Sequence, residues 1–233
     1  MKKNNQPQVN QRRTFLKLFA TGAAVLGTGI LSAPLQLAVA ADISSPDVSD
    51  ADEWFKKVKG KHKMIFDVTE PHEIFPFAWP KVFLMTNGLT GTPENECGVV
   101  VVLRHAAIPY ALGNQLWEKY KFGEFFKIND SATKAPATQN PFWQPKPGTY
   151  KVPGIGEVQI GINELQASGV MFCACDAAMT VYSAVLAEQT KQDPAAVKKE
   201  WLSGLLPGIQ PVPSGVWAVG RAQEHGCAYC FVA

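Results

Sequence analysis

Four valines and a leucine in succession, Val99-Val100-Val101-Val102-Leu103, restrict this chain more than any other stretch of it. β-Branched side chains crowd a helix and fit a pleated sheet. A strand with one wet face alternates apolar and polar residues. An unbroken apolar run therefore needs cover on both faces, the situation of a central strand in a parallel sheet. Parallel neighbours in turn require long crossover connections, usually helical.

The remaining sequence supplies those parts. Strands are predicted at 63–68, 170–174, 209–212 and 227–232, around the valine run, with helical patterns between them. Val82, Phe83 and Met85 mark a helix that stops before the turn at Asn87-Gly88. Ile108, Ala111, Leu112 and Leu116 form the inward side of a helix over 106–120, and another is expected over 156–167. Asp193-Pro194 is a capped helix start, and Ser214 caps a helix through Val216, Val219 and Ala222 that Gly226 ends. Strands alternating with helices predict an α/β fold with a doubly wound, mostly parallel, five-stranded sheet. Residues 122–155 interrupt this rhythm with Pro136, Pro141, Pro145, Pro147 and Pro153 around Phe142-Trp143. A loop so long and so aromatic is expected to be an ordered excursion.

The first forty residues stand apart. Gln11-Arg12-Arg13-Thr14-Phe15-Leu16-Lys17 is a twin-arginine pattern, followed by an apolar segment and by Ala38-Val39-Ala40, small residues suited to cleavage. The expectation is export to the periplasm by the twin-arginine translocase, with the signal removed near Ala40. Five of the chain's 22 basic residues and none of its 20 acidic ones lie in that segment, so the remainder carries 17 basic against 20 acidic residues, a net charge near −3. Nothing in that balance suggests a nucleic-acid partner. Residues 41–61 read as a polar lead-in with a short helix begun at Asp50 or Asp52 and continuing through Trp54, Phe55 and Val58. A single domain is expected over 62–233.

The chemistry is expected at the junction Phe172-Cys173-Ala174-Cys175-Asp176. A short apolar strand ends there, and Asp176 can cap a helix whose apolar stripe is Ala178, Val181, Tyr182, Val185 and Leu186. A thiol at a strand-to-helix junction faces free N–H groups and the positive end of the helix, which favour thiolate. Ligands of open α/β sheets bind at the carboxyl ends of strands. Cys175 is thus the candidate reactive residue, against the alternative of a small buried hydrophobe. His105 and Arg104, at the end of the valine strand, share that edge in a parallel sheet, His105 as a base or ligand and Arg104 as an anion contact. Asn87 is placed beside the same crevice. Five cysteines in an exported chain leave at least one unpaired. Cys227-Ala228-Tyr229-Cys230 is a C-x-x-C in a predicted strand, where the two residues point to opposite faces. A soft-metal site from Cys173, Cys175, Cys227 and Cys230 is the minor alternative to packed thiols.

These residues resemble the DsrE-like family of sulfur-relay proteins and their exported relatives. Phe172-Cys173-Ala174-Cys175 followed by Met179 is similar to its F-x-A-C-x-x-T-M segment, with Ala178 in place of the usual threonine. Val212-Pro213-Ser214-Gly215-Val216, then Gln223, Gly226 and Tyr229, is similar to its ending. The resemblance covers 62–121 and 156–233. The 122–155 excursion has no counterpart in the small members. The resemblance implies a flavodoxin-like sheet, assembly into homo-oligomers (trimers or hexamers), and a persulfide on the cysteine matching Cys175. A small molecule or a sulfur-donor protein is the implied partner, and no cofactor is implied. The rival reading is a non-catalytic oligomeric binding or assembly module whose cysteines are structural.

Overall fold

A computed structural model describes residues 48–232. The twin-arginine pattern and cleavage site lie outside the described residues. The predicted sheet is present: five strands, all parallel, with helices on both faces. Its strands are β1 (His62–Val68), β2 (Cys97–Leu103), β5 (Met171–Cys175), β6 (Ile209–Val212) and β7 (Ala228–Val232). A two-stranded hairpin, β3 (Lys151–Val152) with β4 (Gly156–Glu157), stands apart from them. No helix among the described residues is long and apolar enough to cross a membrane.

Across the sheet the order is β6-β5-β2-β1-β7. The valine strand β2 occupies the middle, and all seven of its residues are buried. Val99, Val101 and Leu103 enter one core, while Val100 and Val102 enter the other. Pro211 has no N–H to give a second neighbour, which suits β6 to an edge. Three successive steps, β1 to β2 to β5 to β6, carry the chain one way across the sheet. Their helices, α2 (Phe75–Leu89), α3 (Asn114–Tyr120), α4 (Phe122–Phe125), α5 (Ile162–Ala167), α6 (Asp176–Thr190) and α7 (Pro194–Ser203), pack on the larger core. The last connection, through α8 (Gly215–Glu224), returns beneath the other face to place β7 beside β1. Layering and winding are flavodoxin-like. In chain order the sheet reads 4-3-2-1-5, whereas flavodoxin itself reads 2-1-3-4-5.

Several elements differ from their sequence expectation. The segment read as a lead-in contributes α1 (Val48–Phe55), whose Ala51, Trp54 and Phe55 pack with α8 in the smaller core. α2 runs through Asn87-Gly88 to Leu89 rather than stopping before them. The single helix expected over 106–120 is instead a 3₁₀ turn, His105–Ala111, followed by α3. Pro109, inside that turn, cannot donate to an α-helical ladder, and Gly113 caps the fresh start. The apolar residues are inward all the same: Ile108, Ala111, Leu112 and Leu116 are buried. The helix expected over 156–167 is only α5, because Gly156 and Glu157 belong to the hairpin.

The 122–155 excursion is ordered by side chains that reach the core. Asn140 Nδ2 donates to the carbonyls of Tyr110 (2.8 Å) and Leu112 (3.1 Å), completing backbone groups that the interrupted helix leaves open. Phe142 is buried, its ring 4.2 Å from that of Phe77 and stacked 5.0 Å from Tyr150. The Tyr150 hydroxyl donates to the Pro141 carbonyl at 2.6 Å.

Candidate functional site

The strand β5 delivers Cys175 to the carboxyl edge of the sheet, where α6 begins. Cys175 itself is the N-cap: its Sγ accepts from the Ala178 N–H at 3.3 Å. Asp176, expected as the cap, is the first helical residue. Its carboxylate turns inward, and Lys198 Nζ donates to Oδ2 at 2.8 Å. Both residues are buried, and Asp176 Oδ1 has no hydrogen-bond partner. The buried side of α6 carries Asp176, Ala178, Met179, Ser183, Leu186 and Ala187, so Ala178 and Leu186 of the expected stripe are inward and Tyr182 is half-buried, while Val181 and Val185 are exposed.

The sulfur receives more than one helix end. The backbone N–H groups of Gly215, first residue of α8, and of Ala177 also act on it and favour thiolate. β6 leads straight into α8 through Pro213 and Ser214, and its pairing with β5 sets Val212 level with Cys175. Two helix N-termini thus converge on one thiol. The expected lowering of its pKa is nevertheless overcome. Cys175 is only 6% exposed, and loss of solvation, helped by the negative charge of Asp176, raises the thiol above its ordinary value.

Arg104 lies against the same helix end. Its side chain crosses Gly215 so closely that a Cβ there would sit 2.6 Å from Arg104 Cβ, so only glycine fits. Arg104 holds Asp67 with two hydrogen bonds, Nε to Oδ1 at 2.6 Å and Nη2 to Oδ2 at 2.9 Å. The Tyr229 hydroxyl donates to Oδ2 at 2.9 Å. The hydrogen-bonded carboxylate raises the Arg104 pKa further, so the guanidinium is always charged. These residues border a cavity of about 310 Å³ with Val216, Val219 and Gln223 of α8.

The other predicted residues part company. His105 follows Arg104 at φ +50°, a left-handed conformation, with its side chain exposed. Its ring lies 5.9 Å from Tyr182 of α6. Asn87 is at the wrong end of the molecule. α2 begins at the carboxyl edge and runs back, so Asn87, near its C-terminus, stands by the amino edge, its Nδ2 bonded to the Phe83 carbonyl at 2.8 Å.

All five cysteines are free. Cys173 is wholly buried in the smaller core, and desolvation pushes its thiol well up. β5 and β7 are separated by β2 and β1, three strand spacings of about 4.8 Å, so Cys173 and Cys175 cannot share one ion with Cys227 and Cys230. Among the described residues no group of three or more His, Cys, Asp or Glu could hold a metal.

Asp67 and Lys198 carry no candidate role in the sequence reading, and Tyr229 enters it only as part of the C-terminal motif. Asp67 had a readable signal, a lone carboxylate near the end of an otherwise apolar strand. Lys198 had none, since lysine on an amphipathic helix is ordinarily solvated.

No family model matches the chain, and no curated protein matches it. Among solved structures it is similar to the "Protein of Unknown Function MTH1491 from Methanobacterium thermoautotrophicum", at 15% identity and a TM-score of 0.39, over 74% of this chain and 100% of that one.

Proposed function

We propose that this is an exported DsrE-like domain in which Cys175 carries sulfur as a persulfide. The observation that supports it is the convergence of the α6 and α8 N-termini, with Arg104, on one thiol at the carboxyl edge. Such a cradle favours an anion on sulfur. The Cys175 thiolate attacks the outer sulfur of a low-molecular-weight persulfide R–S–SH. A new S–S bond forms to Cys175, the S–S bond of the donor breaks, and the R–S thiolate leaves with the electron pair. The charge carried in by Cys175 departs on R–S, and the outer sulfur keeps its proton. A persulfide is more acidic than a thiol, so the N–H groups meet an anion more readily once the sulfur is loaded. In this reading the chain works in the periplasm after twin-arginine export and assembles as a homo-oligomer.

One observation favours the rival, a binding module with structural cysteines: Cys175 is nearly buried and its thiol is raised rather than lowered. Treating the purified protein with a low-molecular-weight persulfide and mapping the peptides by mass spectrometry separates them. The expected result is one extra sulfur on the Cys175 peptide, released by dithiothreitol and absent from Cys175→Ala. Extra sulfur on Cys230 alone, or on no peptide, overturns the sulfur-carrying reading.

A further inference from the structure

We infer that the cavity bordered by Arg104, which packs on the Gly215 whose N–H reaches Cys175, is the subsite for the non-reacting end of its substrate, and that the substrate is a small carboxylate-bearing sulfur compound. The inference rests on the reading of Cys175 as a sulfur carrier and adds the chemical class of what it meets. Four observations carry it.

The first is size. A cavity of about 310 Å³ is at the small end of the range for small-molecule sites and suits a compact ligand. The second is the state of its acid. Asp67 is 2% exposed and already accepts from Arg104 Nε, Arg104 Nη2 and the Tyr229 hydroxyl. It is the carboxylate that fixes the guanidinium in place, and a cationic ligand would have to displace those donors.

The third is the unused side of Arg104. Nη1 is the guanidinium nitrogen that Asp67 does not engage, and Arg104 both lines the cavity and packs on Gly215, whose N–H serves Cys175. The Arg104 guanidinium is within charge reach of the Cys175 sulfur, so an anionic head held at Nη1 stands on the approach to the thiol. The fourth is the opposite wall. Val216 and Val219, one helical turn apart on α8, provide an apolar surface for a short carbon body, and the amide of Gln223 flanks it. Val216 is 70% exposed, so the cavity opens to solvent there.

Two alkylating agents of nearly equal size, iodoacetate and iodoacetamide, test this directly, because only one bears the carboxylate. In both reactions the thiolate displaces iodide and an S–C bond replaces the C–I bond. The readout is the ratio of the iodoacetate to the iodoacetamide rate at Cys175, measured by peptide mapping of the full folded protein. Cys230, half-buried on the edge strand β7, is the internal reference in the same sample.

The expected ratio at Cys175 exceeds that at Cys230 by about fivefold, the factor corresponding to roughly 1 kcal/mol. Arg104→Gln brings the two ratios together. Val216→Glu, at an exposed position that leaves the core untouched, lowers the iodoacetate rate at Cys175 more than the iodoacetamide rate. If Cys175 reacts with iodoacetamide and its ratio is no higher than that of Cys230, the carboxylate subsite is wrong and the sulfur-carrying reading stands. If Cys175 reacts with neither reagent while Cys230 reacts with both, the two fall together.

Discussion

Two carboxylate–cation pairs flank Cys175, and they are built differently. Asp176–Lys198 lies within the larger core: one hydrogen bond of 2.8 Å, both residues buried, one carboxylate oxygen without a partner. Asp67–Arg104 lies beneath α8 at the mouth of a cavity: two hydrogen bonds, a third from Tyr229, and a guanidinium still one quarter exposed. An isolated buried pair gains little over apolar residues, yet is costly to break from one side. A bidentate pair at the rim holds a charge in a chosen place where solvent and ligand can reach it. The first pair therefore secures the helix that carries the thiol, and the second positions the charge that the thiol's substrate meets.

The contrast can be broken most forcefully at its sealed member. Lys198→Met strands a buried carboxylate and is expected to lower the unfolding free energy by about 3–5 kcal/mol in urea titrations. Adding Asp176→Leu should return most of that loss. A double variant no more stable than the single one would mean that the pair is needed for more than mutual neutralisation.

The rim pair should respond less in stability. Arg104→Gln, which removes two hydrogen bonds to a buried charged acceptor but leaves the Tyr229 hydroxyl on it, is expected to cost about 2 kcal/mol. Tyr229→Phe, at a residue 46% exposed, should cost about 1 kcal/mol or less and leave Cys175 labelling intact. A larger loss of labelling in Tyr229→Phe than in Arg104→Gln would reverse the roles given to them.

The smallest effect is a shift in pH dependence. Thiolate is the reacting form, and burial raises the Cys175 thiol above its ordinary 9.0, so its alkylation rate should still be climbing at pH 9. Asp176 contributes to that rise, so Asp176→Leu in the Lys198→Met background should move the profile towards lower pH. A plateau below pH 9 in the unaltered protein would show that the helix N-termini outweigh desolvation.

Much of the architecture was legible because burial writes itself into composition. The apolar run of 99–103 required a central strand, and it is one. Asp193 does cap α7, accepting from the Ala196 N–H at 2.8 Å, and Ser214 caps α8 in the same manner at 3.2 Å. These are local effects, settled within four residues. The site was less legible. Arg104 and Cys175 were expected at one edge and are found there, and His105, left-handed beside Arg104, sets its ring against Tyr182 of α6. Asn87 fails for a topological reason: a helix that leaves the carboxyl edge ends at the amino edge. Asp67 and Tyr229, 162 positions apart in the chain, meet only because β7 docks beside β1.

The junction at Cys175 shows the same division within one residue. Sequence by itself placed a thiol at the end of a buried strand and the start of a helix, since strand and helix patterns are local. Tertiary structure decided which residue capped that helix and which other helix end reached the sulfur. It also decided that desolvation would exceed the attraction of both. Solvation and electrostatics depend on what the distant chain brings to within a few ångströms, and the pattern of neighbours along the chain does not encode that.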